Sequence, residues 1–355
     1  MSASATKTVL LFDADLQRYR QALYRYFARE MAREGYTLKV LYDRALNDAD
    51  DDLFTGITYS FGGFRQAVKQ HRPHLMILFV WLRYKFLLPF MLQNRLRGRR
   101  MVVWSHGINL QKKKQVLMNQ LYYARQRLAH SLILYSKDQV QYIKANRSKV
   151  YVANNTLNFE EFPAVSETKE QLKAAQELNG KKVILFVGRI NVNNRKIGHL
   201  IDLAQQLDDG YEVLVIGPGL ETADEQRIAQ TTGIRYLGSI YDPEEVARHF
   251  TMADLFIMPG AVGLAINHAF YYGVPFIAED THHGPEIVYL HEGHNGFLYR
   301  PDQKDDLCGK VKQILDDPDT YRTFSENAKQ TVESEASTQL MLEGFLKAMR
   351  HAEKA

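Results

Sequence analysis

Cysteine is almost missing from the 355 residues: Cys308 is alone and has no partner for an intramolecular disulfide. Its setting, DDLCGKVKQIL, reads as a helix in which a packed thiol fits, and a reducing compartment follows. Long apolar runs are missing too. The longest, LMILFVWL over 75–82, falls far short of the roughly 20 residues that a membrane-spanning helix needs. It suits a buried parallel strand. The first residues, MSASATKTVLLF, lack the apolar stretch of a signal peptide and read as a few loose residues before a first strand. These absences lead to an expected cytoplasmic location, with attachment to the inner face of the cytoplasmic membrane left open. No nucleic-acid-binding motif is found, so nucleic acid is not an expected partner. Short repeats and low-complexity tracts are absent as well.

Charge is present, and it is unevenly placed. Residues 1–165 hold 26 Lys and Arg against 12 Asp and Glu, an excess of 14 positive charges. The remaining 19 basic and 29 acidic residues leave an excess of 10 negative charges. An asymmetry of this size suggests that the first half meets something anionic: nucleic acid, phospholipid or a phosphorylated substrate. Two stretches there mix bases with aromatic and aliphatic residues, WLRYKFLLPFMLQNRLRGRR (81–100) and LQKKKQVLMNQLYYARQRL (110–128). Each suits either an amphipathic surface lying on an anionic membrane or a core-facing stripe with a solvated basic back.

Hydropathy alternates between strand-like and helix-like segments throughout. KTVLLFDA, YTLKVLYD, HLMILFVW, RRMVVWSHG, SLILYS and SKVYVANN read as strands, with helical patterns between them, including KDQVQYIKAN. The polar segment NNTLNFEEFPAVSETKEQL breaks the rhythm and serves as a linker. Alternation then restarts with KKVILFVGRI, YEVLVIGPG, IRYLGSI, DLFIMPG and VPFIAED. Asp242 and Pro243 mark the start of one intervening helix. The expectation is an α/β protein with two Rossmann-like, doubly wound parallel-sheet domains, 1–165 and 166–335, facing a cleft. A final amphipathic helix occupies 336–355.

Chemistry concentrates where strands end, as expected for ligand sites of open α/β sheets. In FVGRINVNNRKIGHLIDLA, Gly188 ends a strand, Arg189 follows, and Lys196 opens the next helix. Two cations so placed suit a diphosphate; equally, both are ordinary solvated side chains. In GAVGLAINHAF, the turn Gly260-Ala261-Val262-Gly263 leads through Leu264 into a helix whose N-terminal amides suit an anion. A plain strand-to-helix turn has the same pattern. IGPGLET, with Gly217 and Gly219, lacks the full dinucleotide fingerprint. His106 ends a strand in VVWSHGINL, as a ligand contact or a satisfied structural histidine. His282-His283 has no metal-ligand spacing around it, so loop hydrogen bonding is favoured.

Taken in order, FVGRI…K…LI…A, VLVIGPG, YLGSI…EEVARHFTMADLFIMPG, GLAINHAFYYGVPFIAED and GPEIV…GHNGFLYRP resemble the retaining glycosyltransferases of family four (group 1 glycosyltransferases), which have the GT-B fold. The resemblance is strong over 180–300 and collinear but weaker over 1–165. It implies a nucleotide-sugar donor, UDP- or GDP-linked, held mainly by the second domain. Arg189, Lys196 and the backbone around Gly263 and Leu264 then take the diphosphate, and the base lies near Gly217–Gly219 and Ser239-Ile240-Tyr241. His106 matches a family histidine that reaches the donor, and the last helix returns to the first domain. No metal and no separate cofactor are implied.

The family carries two glutamates eight positions apart. Aligning HAFYYGVP on the family's E-A-M-x-x-G-x-P puts Gly260 at the first and His268 at the second. His268 has a neutral ring nitrogen for the ribose hydroxyls, with Asn267 beside it. Gly260 has no side chain for the sugar, and Glu286 is a further contact. The function expected is retaining transfer of a sugar to a glycan or lipid-linked acceptor in bacterial surface polysaccharide synthesis. Its main rival is a catalytically impaired nucleotide-sugar-binding sensor or scaffold. An epimerase lacks a convincing carboxylate set, and a dinucleotide oxidoreductase lacks the glycine fingerprint in LLFDADLQR.

Overall fold

Short apolar runs separated by helices form two wholly parallel sheets, because a parallel neighbour needs a crossover longer than a hairpin turn. The structure, a computed structural model, describes residues 6–81, 83–108, 116–191, 195–303 and 305–355. It divides into two units, Met1–Asn158 with Thr338–Ala355, and Phe159–Ser337.

In the first unit, strands β1 (Lys7–Phe12), β2 (Tyr36–Asp43), β3 (Phe54–Ile57), β4 (Leu75–Phe79), β5 (Arg100–Ser105), β6 (Ser131–Leu134) and β7 (Val150–Val152) alternate with helices α1 (Arg18–Arg33), α2 (Phe61–His71), α3 (Leu87–Leu96) and α4 (Val116–Leu128). The spatial order is β3-β2-β1-β4-β5-β6-β7. Val9 of β1 stands between Leu38 and Leu75, all three buried. Burial on both faces explains why these strands are continuous apolar runs and not alternating ones.

In the second unit, the strands are β8 (Lys182–Val187), β9 (Tyr211–Ile216), β10 (Ile234–Tyr236), β11 (Leu255–Met258), β12 (Phe276–Glu279) and β13 (Gly296–Tyr299), in the order β10-β9-β8-β11-β12-β13. Helices α5 (Lys169–Ala175), α6 (Gly198–Ala204), α7 (Thr222–Ala229), α8 (Pro243–Met252), α9 (Ala265–Tyr271), α10 (Asp306–Leu315) and α11 (Pro318–Glu335) accompany them. Asp242 caps α8 through the Glu245 amide, with Pro243 in the first turn.

The last helix, α12 (Thr338–Lys354), completes the core of the first unit. Its buried stripe of Met341, Leu342, Phe345, Ala348, Met349 and Ala352 follows helical spacing. The Phe345 ring lies 5.0 Å from that of Trp104 and 5.1 Å from that of Phe27. Gly344 is needed there, since a Cβ would stand 2.5 Å from the Val152 carbonyl oxygen.

Some details differ from the hydropathy reading. KDQVQYIKAN forms a 3-10 helix over Lys137–Tyr142 and no α-helix. The strands β3 and β13 were not foreseen, being four residues each and including a glycine. Of the basic stretch 110–128, residues 110–115 lie outside the described residues, as do 1–5 and Leu82 in the other stretch. Among the described residues, no helix is long and apolar enough to cross a membrane.

Candidate active site

Where strand order reverses in a parallel sheet, the loops leaving two neighbouring strands diverge and make room for a ligand. In the second sheet the reversal falls between β8 and β11. Topology therefore brings the 188–196 loop beside the 260–264 turn. The backbone joins them: the Lys196 N–H donates to the Pro259 carbonyl at 2.8 Å, and Arg195 forms antiparallel bridges with Gly260 and Asn191. Residues 192–194 lie outside the described residues.

Three cations gather at the end of β8. Arg189 is exposed. Arg195 lies under Gly188 and donates from Nη1 to the Arg189 carbonyl at 3.4 Å. Burial, and after it the charge of Arg189, hold the Arg195 guanidinium below its usual pKa. Lys196 stands two residues ahead of α6, and its Nζ is 2.5 Å from Oε1 of Glu279 at the end of β12. The Glu279 side chain is 2% exposed and that of Lys196 40%. His199 Nδ1 is 2.7 Å from the Tyr299 hydroxyl and 3.7 Å from Glu279 Oε2. Burial lowers the His199 pKa, and Glu279 works against that shift.

The β9 loop is braced against the β8 loop through glycines. Gly217 has φ +141°, and a Cβ there would stand 1.9 Å from the Gly188 carbonyl oxygen. Gly219 has φ +99°, and its Cβ would stand 2.4 Å from the Ile190 carbonyl oxygen. No other residue fits either place. The Gly217 N–H also donates to the Gly238 carbonyl at 2.8 Å, which sets Ser239, Ile240 and Tyr241 next to this loop. Ser239 and Tyr241 are exposed, and Ile240 is half-buried.

In the turn before α9, the Val262 N–H donates to His283 Nδ1 at 3.2 Å and the Val262 carbonyl accepts from the Gly284 N–H. His283 thus acts in loop hydrogen bonding. With the Val262 amide committed, the anion role expected of this turn rests on Gly263 and Leu264. A Cβ on Gly263 would meet no described atom within 4 Å. Neither its surroundings nor its backbone explains a glycine there.

Asn267 and His268 diverge. Asn267 is buried beneath the turn, where its side chain hydrogen-bonds Tyr289 beside the buried Glu286. Burial, and next the Glu286 charge, raise the Tyr289 pKa. His268 enters an aromatic stack, 4.2 Å and 8° from the Phe250 ring, 4.4 Å from Phe162 and 5.7 Å from Tyr272. Burial there pushes its pKa down to about 4, so the ring is neutral at pH 7.

His106 belongs to the first unit. It follows β5, stacks on Tyr135 at 4.2 Å, and has Nδ1 3.2 Å from Gln139 Nε2. Burial, assisted by the charge of Arg20, lowers it to about 4. Among the described residues no group of three or more His, Cys, Asp or Glu side chains is disposed to hold a metal ion.

The sequence reading missed Glu279, Arg195 and the stack around His268. A signal for Glu279 was present, an acid inside the apolar strand VPFIAED. Phe162 was hidden in a linker without periodicity.

Residues 168–331 match the family model described as glycosyl transferases group 1. The sulfoquinovosyl transferase SQD2 of Arabidopsis thaliana is 25% identical over 157 residues, 43% of this chain and 30% of that protein. The match therefore spans less than a third of that relative's length. A glycosyltransferase structure from Rickettsia africae superposes with a TM-score of 0.75 at 17% identity, covering 99% of this chain and 100% of that one. Anabaena HepE in complex with UDP-glucose superposes with a TM-score of 0.70 at 15% identity, covering 97% and 99%. Over residues 168–331 this chain is similar to the group 1 glycosyl transferases, and its two parallel-sheet units have the GT-B fold.

Proposed function

We propose that the protein transfers a sugar from a nucleotide diphosphate donor to a hydroxyl of a glycan or lipid-linked acceptor, with retention at the anomeric carbon. The observation that carries this reading is the gathering of Arg189, Arg195 and Lys196 beside the Gly263-Leu264 turn at the reversal of strand order. The open space at Gly263 supports close approach of a phosphate to the backbone. A fold shared with a UDP-glucose complex supports a UDP-linked donor, with GDP as the alternative base.

In the reaction, the bond from the anomeric carbon to the diphosphate oxygen breaks and the acceptor oxygen bonds to the same face. The acceptor proton passes to the leaving phosphate oxygen. Negative charge grows on the diphosphate, and fixed cations stabilise the transition state more than the ground state. This reading assigns that work to protein cations without a metal. Neutral His268 and Asn267 are assigned to the ribose, Glu286 to the sugar side, and Gly217, Gly219 and Ser239–Tyr241 to the base. His106 is assigned to the donor on the family resemblance alone.

The acceptor part rests on the basic first half and on α3, where Leu92 and Leu96 are exposed beside Arg95 and Arg97. These suit a lipid-linked glycan at an anionic membrane face during bacterial surface polysaccharide synthesis. The test is a thermal-shift screen of UDP- and GDP-sugars followed by a hydrolysis assay with anomeric analysis of the product. Stabilisation with slow hydrolysis and a retained anomer supports the reading. Binding with no turnover favours a nucleotide-sugar sensor, and no binding removes both.

A further inference from the structure

We propose that Glu279 is a positioning residue that fixes Lys196 for the donor diphosphate, an inference that rests on the glycosyl-transfer reading above. An ionised carboxylate buried to this extent costs several kcal/mol unless it is paired. Lys196 Nζ, 2.5 Å from Oε1, supplies the pairing. Among the described residues nothing hydrogen-bonds Oε2. His199 Nδ1, 3.7 Å away, is engaged with the Tyr299 hydroxyl.

The pair is asymmetric. The Glu279 side chain is 2% exposed and that of Lys196 40%. An ammonium has three donor hydrogens, so pairing with one oxygen leaves others for a second anion. Were Lys196 to swing wholly onto a phosphate, Glu279 would remain buried without a counter-charge, at a cost of several kcal/mol. Lys196 therefore stays on Glu279 and serves the diphosphate with its remaining donors.

The base of the side chain is held as well, by the Lys196 N–H on Pro259 and the Arg195 bridge to Gly260. A cation held before the reaction needs no reorganisation as charge develops, the condition under which it assists catalysis most. Position 260, where the family resemblance calls for a glutamate, is glycine in this chain. The carboxylate beside this loop comes instead from the end of β12.

The test is a double-mutant cycle on the full chain, with Glu279→Gln, Lys196→Gln and the pair. The readouts are single-turnover donor cleavage, donor KM and UDP or GDP affinity by calorimetry. Glu279→Gln is expected to lower the rate about 10–100-fold while changing KM less than about threefold, in the range of supporting residues behind a reacting group. Glu279→Asp is expected to recover part of the loss. In the Lys196→Gln background Glu279→Gln is expected to change the rate less than about twofold, because the lysine through which it acts is gone.

A role in folding alone would lower the melting temperature and shift both backgrounds alike. Equal losses in the two backgrounds overturn the inference, as does a Glu279→Gln rate within about twofold of wild type. Either result leaves glycosyl transfer standing. A wild-type protein that neither cleaves donors nor binds UDP or GDP overturns the transfer reading, and this inference with it.

Discussion

At the carboxyl edge of the first sheet, charged groups close on one another; at the same edge of the second, they gather with few partners among the described residues. In the first, Asp13 accepts from the Tyr24 hydroxyl at 2.6 Å and lies 3.6 Å from Arg20 Nε. Arg20 donates to the Tyr135 hydroxyl at 2.8 Å, and its guanidinium lies 4.5 Å from the centre of a Trp104 ring. All these side chains are buried. Burial raises the Asp13 pKa, and Arg20 opposes the rise. In the second, Arg189 is exposed, Arg195 half-buried, and Lys196 pairs with Glu279. Both sheets reverse strand order beside their first strand. Equal topology thus makes two edges that differ in side-chain chemistry, and the second is the one proposed to keep charge for a ligand.

The sharpest way to break this contrast is Arg20→Met. It removes the counter-charge of buried Asp13 and keeps most of the apolar volume. The expected cost is about 3–5 kcal/mol, the range for splitting a buried pair. Chemical denaturation followed through tryptophan fluorescence measures it, because Trp104 contacts Arg20. A change below about 1 kcal/mol would mean that the first edge is not closed by this pair.

Lys196→Ala acts on the other edge and on rate. Loss of one preorganised donor to a developing charge costs about 100–1,000-fold, or about 3–4 kcal/mol. Donor cleavage under saturating conditions measures it. A near-normal rate would remove Lys196 from the catalytic assignment.

Much of the second edge was legible in the sequence, because Gly188, Lys196, Gly217 and Gly260 lie on loops whose order along the chain maps onto strand order in the sheet. The two parallel-sheet units followed from the alternation of strand-like and helix-like segments, and the GT-B fold from the family resemblance that the motif order carries. Less was legible where distant segments meet. Nothing near Lys196 in sequence announces Glu279, 83 positions on. Phe162 reaches His268 from an aperiodic linker, and hydropathy has no means of placing such a ring. Arg20 read as one base among many on α1, although its guanidinium is buried against Asp13 and Trp104.

Gly217→Ala sharpens the contrast by attacking the bracing of the second edge. The added Cβ would lie 1.9 Å from the Gly188 carbonyl oxygen, at φ +141°. Backbone would have to move, with an expected loss of about 2–3 kcal/mol. Thermal melting and UDP affinity are expected to fall together, since the two loops are packed backbone to backbone. A variant that melts lower and binds UDP normally would detach Gly217 from the proposed base site.

The smallest effect concerns His268 and separates packing from recognition. Its ring has a pKa of about 4 in the folded chain, against about 6.5 when unfolded. Between these values the unfolded state binds more protons than the folded one. Stability from this group is therefore complete above about pH 6.5 and falls as pH drops towards 4. His106 and His130, also held at about 4, impose the same slope on the first unit. Phenylalanine suits a ring site between Phe250 and Phe162. His268→Phe should therefore match wild type near pH 7.5 and exceed it by about 1–2 kcal/mol at pH 5, a size taken from linkage. Nucleotide affinity at pH 7.5 decides the second question. A ring that accepts from the ribose loses a hydrogen bond on substitution, about a 3–10-fold weakening for about 1 kcal/mol. Unchanged affinity with the altered pH slope would assign His268 to the aromatic stack alone and pass the ribose to Asn267.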